Sequence, residues 1–133
     1  MDNYVAVTLW KGDRVLMQLR DNDPDIYEPN KWNLIGGKCQ KGEGLLEAAT
    51  REFKEETGYI LNNPKLVRTL HMPYDKGDYD WHIFFEKFDG KQTISCFEGQ
   101  EMKFFSIREL EGKEIARKNL EVVKFAKSLL RPS

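Results

Sequence analysis

The stretch from Gly37 to Tyr59 constrains this chain more than any other: Gly-Lys-Cys-Gln-Lys-Gly-Glu-Gly-Leu-Leu-Glu-Ala-Ala-Thr-Arg-Glu-Phe-Lys-Glu-Glu-Thr-Gly-Tyr. It reads as a glycine turn running into a helix that carries Glu52, Glu55 and Glu56 near its end. At roughly 100° per residue, these three carboxylates fall within about a third of the circumference. Groups of like charge held that close repel one another unless a cation sits among them. Hard oxygen ligands favour a divalent ion, Mg2+ with Mn2+ as the alternative.

The alternative is a solvated helix face, and the helical wheel argues against it. Leu45, Leu46, Ala49 and Phe53 form an apolar stripe, with Glu47 and Lys54 opposite. Glu56 projects into the stripe, Glu52 lies beside its edge and Glu55 follows. Acids at the margin of a buried face need a partner, because an unpaired buried charge costs several kcal/mol. Glu47 is placed to close the helix start near Gly44, and Gly58 to stop it.

The segment resembles the signature of the Nudix hydrolases: Gly, five residues, Glu, seven residues, Arg-Glu, a bulky apolar residue, any residue, Glu-Glu, any residue, Gly and an aliphatic residue. These positions are filled by Gly37, Glu43, Arg51, Glu52, Phe53, Glu55, Glu56, Gly58 and Tyr59. Phe53 and Tyr59 depart from the usual aliphatic choice, and Ile35 stands where many members have proline. The departures touch packing and turn rigidity, not the acids. The resemblance implies an α/β fold, the Nudix-type α/β/α sandwich with a mixed sheet between helices. It also implies hydrolysis of a nucleoside diphosphate linked to a group X. Carried over by position, Glu52, Glu55, Glu56 and the Gly37 carbonyl are the implied metal ligands. Arg51 orients and balances the acids, its spacing from Glu47 and Glu55 suiting both pairings; a plain surface ion pair is the alternative. Glu43 would brace the loop.

The length of 133 residues suits one domain, 1–133. A net charge of −1 argues against a nucleic acid polymer as partner and leaves small nucleotides open. No apolar run approaches a membrane span, and Met1-Asp2-Asn3 does not resemble a secretion signal. Cys39 and Cys96 lack metal-ligand spacing and read as ordinary thiols. The expectation is a cytoplasmic protein, monomer or homodimer.

Tyr4–Trp10 and Arg14–Arg20 read as strands about the turn Lys11-Gly12-Asp13, followed by a loop from Asp21 to Lys31. Lys65–His71, Trp81–Phe88 and Met102–Ser106 read as further strands, with Ser106 capping a brief helix through Leu110. In the closing segment, Val122, Val123, Ala126, Leu129 and Leu130 share one face of an expected helix over Leu120–Leu130.

Glu98-Gly99-Gln100 resembles a loop that adds an acidic group in the oxidised-nucleotide hydrolases of the family. Glu98 is therefore the candidate general base, with Glu101 and the helix glutamates, Glu55 foremost, as competitors. Arg20, Lys38, Trp32 and Asn119 are the candidate substrate-binding residues. Asn119 can read a purine edge, as does an asparagine similarly placed in the bacterial antimutator hydrolases of 8-oxo-dGTP, or can cap the last helix. Trp32 can stack on a base or be buried against the glutamate-bearing helix. His71 and His82 lack ligand spacing. Three functions follow as alternatives: a pyrophosphohydrolase of oxidised or non-standard nucleoside triphosphates such as 8-oxo-dGTP, a nucleotide-sugar or ADP-ribose hydrolase, and a non-catalytic nucleotide sensor. Short length, Glu98-Gly99-Gln100 and Asn119 favour the first.

Overall fold

The computed structural model describes residues 1–130. Strand β1 (Asp2–Lys11) turns at Gly12, whose φ is +62°, into β2 (Arg14–Leu19). After the loop come β3 (Trp32–Asn33) and β4 (Ile35–Lys38), then α1 (Leu45–Thr57). Strands β5 (Lys65–Met72) and β6 (Tyr79–Lys87) form a hairpin, and β7 (Glu101–Phe105) leads into α2 (Ile107–Leu110) and α3 (Asn119–Lys127).

All seven strands join one sheet along the path β3-β2-β1-β6-β5, with β4 on β1 and β7 on β2. Strands β1 and β6 run parallel, and every other pairing is antiparallel. The end of β1 pairs with β2 at Trp10 and Lys11, while its first half, Tyr4–Val7, pairs with β4. This split leaves β4 delivering Gly37 and Lys38 directly to the loop before α1.

Side chains of β1 alternate between the two faces, as the pleat requires. Val5, Val7 and Leu9 pack with Ala48, Ala49, Phe53 and Tyr59 on the α1 face. Ala6 and Trp10 pack with Phe105, Leu110, Val122, Val123 and Ala126 on the α3 face. The mixed sheet therefore lies between helices, as expected.

Three local expectations are corrected. Gly36 and Gly37 are paired strand residues opposite Ala6 and Val5, not a turn. Leu46 is 53% exposed, and Ala48 is buried in the stripe instead. The last helix ends at Lys127, so Leu129 falls beyond it and is exposed. Among the described residues no helix is long and apolar enough to cross a membrane.

Candidate active site

Arg51 organises the acidic end of the α1 face. Its Nε and Nη2 donate to the two oxygens of Glu43 at 2.6 and 2.8 Å, a bidentate pairing that ties the loop to the helix. Nη1 donates to Glu52 Oε1 at 3.0 Å and approaches Glu55 at 3.3 Å, and Nη2 also reaches the Lys38 carbonyl at 3.2 Å. The Glu47 pairing expected for Arg51 is not made. Glu47 accepts the Gly44 N–H at 3.3 Å and closes the helix start. The Arg51 hydrogen bond, with help from the Gln40 N–H, holds the Glu43 carboxyl down to about 2.

Glu56 is the anomaly in this cluster. It is 4% exposed, and its Oε2 is buried with no hydrogen-bond partner among the described residues. Burial, then the negative charge of Glu98 and its side-chain contact with Glu56, then the charge of Glu52, push its carboxyl up to about 9, against the opposing effect of the Gln18 amide. Burial also raises Glu52, against the pull of Arg51. Glu55 is mostly exposed.

Among the described residues no three acidic, histidine or cysteine side chains already form a closed cage for an ion. The donor set nonetheless fits a hard divalent cation. Arg51 alone among the described residues pairs with Glu43, Glu52 and Glu55, and among the same residues a buried carboxyl oxygen lacks a donor. Gly37 makes room for this arrangement, since a Cβ there would stand 2.4–2.6 Å from the carboxyl atoms of Glu52. Glu52, Glu55, Glu56 and Glu98 are the side chains able to share an ion.

A cavity of about 450 Å³ reaches the same glycines from the other side. Gly36, Gly37, Arg20, Asn33 and Asn119 line it together with Tyr4, Tyr27, Tyr74, Tyr79 and Trp81. Tyr27 from the Asp21–Lys31 loop meets Tyr74 of the β5–β6 turn edge-on at 4.9 Å. The volume suits a small-molecule ligand, and the wall is aromatic with a few polar groups.

Arg20 and Asn119 thus share this cavity with Gly37. The Arg20 Nε is buried without a partner among the described residues. Asn119 is 2% exposed, and its carboxamide is engaged inside the chain. Oδ1 accepts the Leu34 N–H at 2.8 Å, and Nδ2 donates to the Arg117 carbonyl at 3.1 Å. Lys118, at φ +66°, takes the cap position instead. Lys38 and Trp32 stand outside the cavity. Lys38 pairs with Asp2 at 3.3 Å. Trp32 is buried edge-on against Phe105 at 4.7 Å, on the α3 face rather than against α1. His71 bridges Asp78 and Asp80, and His82 meets Thr69 and Asn3, so neither approaches the acids.

Sequence reasoning missed Gln18, Arg117 and the cavity tyrosines. Tyr27 and Tyr74 sit in polar segments that read as loops. The signal for Gln18 was its isolation as the one polar residue in Val15-Leu16-Met17-Gln18-Leu19.

The NUDIX domain family matches residues 2–126. A Bacillus subtilis protein described as a candidate 8-oxo-dGTP diphosphatase is 30% identical over 90 residues, covering 68% of this chain and 55% of that protein. An RNA pyrophosphohydrolase of Brucella anthropi is 33% identical over 111 residues, 82% of this chain and 56% of its own. The chain thus spans just over half the length of these two relatives. The NUDIX domain of Shewanella oneidensis NrtR, solved with ADP ribose, superposes with a TM-score of 0.82 at 18% identity, over 97% of this chain and 88% of that one. The names of the two relatives and the ligand of the solved structure differ from one another, which separates kinship from substrate. Enzymes of this family are pyrophosphohydrolases that use divalent cations, and this chain belongs to the Nudix hydrolase family.

Proposed function

We propose that this chain hydrolyses nucleoside triphosphates carrying an oxidised or non-standard base, such as 8-oxo-dGTP, to the nucleoside monophosphate and pyrophosphate. The observation that carries the hydrolytic reading is Glu56, a buried carboxylate with an unpartnered oxygen beside Glu52 and Glu98. Glu52, Glu55, Glu56 and the Gly37 carbonyl would hold the cation, with Mg2+ first and Mn2+ second. When bound, it neutralises phosphate charge and acidifies water. Arg51 keeps Glu52 and Glu55 turned toward one another. Glu98 takes the proton of the attacking water, as a general base placed beside Glu56.

The glycines of β4 lie between this acidic cluster and the cavity. A nucleotide crossing them would lay its phosphates along the acids and its base among the tyrosines, where a flat ring gains stacking and apolar contact. Arg20, with its free Nε, would meet a phosphate or the base edge.

Purified protein with Mg2+ should be incubated with 8-oxo-dGTP, ordinary triphosphates, ADP-ribose and sugar nucleotides. Pyrophosphate released fastest from 8-oxo-dGTP supports this function. Two monophosphate products from a sugar nucleotide or ADP-ribose would replace it with the second hydrolytic reading, and no turnover at all with a sensing role. Glu98→Gln should lower turnover by roughly 10²–10⁴, and an unchanged rate would remove Glu98 from the mechanism.

A further inference from the structure

Gln18 is 4% exposed and lies near the end of β2, where a buried amide requires hydrogen-bond partners. Its Nε2 donates to the Glu98 carbonyl at 2.8 Å. The same nitrogen stands 3.5 Å from Glu56 Oε1, a longer contact with the anomalous acid of the site. One amide therefore touches both elements that bring Glu56 and Glu98 together.

The Glu98 loop is fastened to β2 by further contacts. The Gln100 N–H donates to the Leu19 carbonyl at 2.8 Å, and its side-chain Nε2 donates to the Arg20 carbonyl at 2.7 Å. That Nε2 also reaches Asn30 Oδ1 at 2.9 Å, joining the loop that carries Tyr27. Gly99, at φ +83°, lies flat on the strand: a Cβ there would be 2.7 Å from the Leu19 carbonyl and 2.8 Å from Gln18 Cγ. Loop and strand are packed with no room for a methyl group between them.

We propose that Gln18 is a positioning residue of the hydrolase site, whose amide fixes the Glu98 loop against Glu56 so that the general base stands beside an acid that holds the cation. This rests on the function proposed above. The geometry explains why a polar side chain interrupts the apolar run from Val15 to Leu19. An alkyl group would fill the same space but would leave the Glu98 carbonyl with only the weak thiol donor of Cys96 at 3.2 Å. It would also withdraw the amide that stands 3.5 Å from Glu56 Oε1. Partners that orient ligating groups typically matter by roughly 10–100-fold in metal affinity or activity.

Gln18→Leu keeps volume and removes both donors. Its Mn2+ affinity, measured by titration calorimetry or electron paramagnetic resonance, should weaken about tenfold, and kcat should fall by at least as much with KM nearly unchanged. A purely structural role would not split kcat from KM in this way. Gly99→Ala tests the same contact from the loop side and should give the same pattern, even where Gln18→Leu fails to fold. Folded variants with Mn2+ affinity and kcat within twofold of the parent would overturn the assignment. If the parent turns over none of the nucleotides above, the proposed function fails separately, and Mn2+ affinity still decides the role of Gln18.

Discussion

Replacing Glu56 by glutamine preserves the side chain's shape and its ability to meet Gln18, but removes an ionisable group from a buried site. In the folded, metal-free protein this carboxyl is pushed from 4.5 up to about 9, chiefly by burial and then by Glu98 and Glu52. Between those values the unfolded chain has released a proton that the folded chain retains. Stability must then fall as pH rises, by about 1.4 kcal/mol per unit. At pH 7 the interval above 4.5 corresponds to about 3 kcal/mol of stability that the parent protein forgoes. Glutamine does not titrate, so the variant lacks this slope. In EDTA, the two proteins should unfold at similar urea concentrations near pH 4.5, and the variant should be about 3 kcal/mol more stable near pH 7. For a chain of this size that is a rise in Tm of about 10 °C. Adding Mg2+ or Mn2+ should stabilise the parent through binding to the native state alone, and leave the variant nearly unchanged. The readouts are urea melts across pH, with and without cation. A variant less stable than the parent in EDTA near pH 7, or a gap that does not vary with pH, would refute the idea of an uncompensated buried acid.

Neighbouring glycines should respond differently to the same small change. Gly36→Ala places a methyl 1.9 Å from the Val5 carbonyl, so the strands must part; thermal melts should show a loss of about 3 kcal/mol or more. Gly37→Ala meets first the movable carboxyl of Glu52, so the fold should persist while metal affinity falls about tenfold by calorimetry. Asn119→Ala strips the buried Leu34 N–H of its acceptor and should cost about 1–3 kcal/mol in urea unfolding, with Asn119→Asp recovering part of it. Asp80 and then Asp78 raise the His71 pKa above 6.5, whereas burial lowers that of His82. The His71 contribution to stability is full below about pH 6.5 and is lost as pH rises through its folded pKa. NMR titration should show His71 deprotonating at higher pH than His82, and the reverse order would contradict the Asp80–His71–Asp78 bridge.

The parts of this molecule legible in its sequence are those whose cause is local. Helix α1 declares itself through a 3.6-residue apolar period, Glu47 near its start and Gly58 at its end, all set within one short segment. Strand β1 shows itself through β-branched and aromatic residues. Even there, the stripe over Leu46 and the reach of α3 toward Leu129 were misplaced, because periodicity gives a direction around the axis and not the distance to the sheet. Cavity tyrosines are illegible for a different reason. Tyr27 and Tyr74 are 47 positions apart, and it takes the β1–β2 and β1–β6 pairings together with the β5–β6 hairpin to set their loops side by side. Asn119 stands out in the sequence as an amide before the last helix, but its commitment to Leu34 depends on a partner 85 residues away.

Gly36-Gly37 joins these two kinds of information. A glycine pair ahead of a helix suggests a turn, since glycine is the residue that turns use at no steric cost. Here neither glycine has a positive φ, so backbone freedom is not why they are needed. Gly36 lacks a side chain because the β1 backbone occupies the place where one would go, and Gly37 because the Glu52 carboxyl does. The first approach closes the sheet and the second brings an acid against it. The two requirements fall on consecutive residues because the strand's alternation sends their missing side chains in different directions. Thus a motif visible as plain spacing in one dimension holds two steric vacancies in three, one structural and one chemical. The contrast between Gly36→Ala and Gly37→Ala measures them separately.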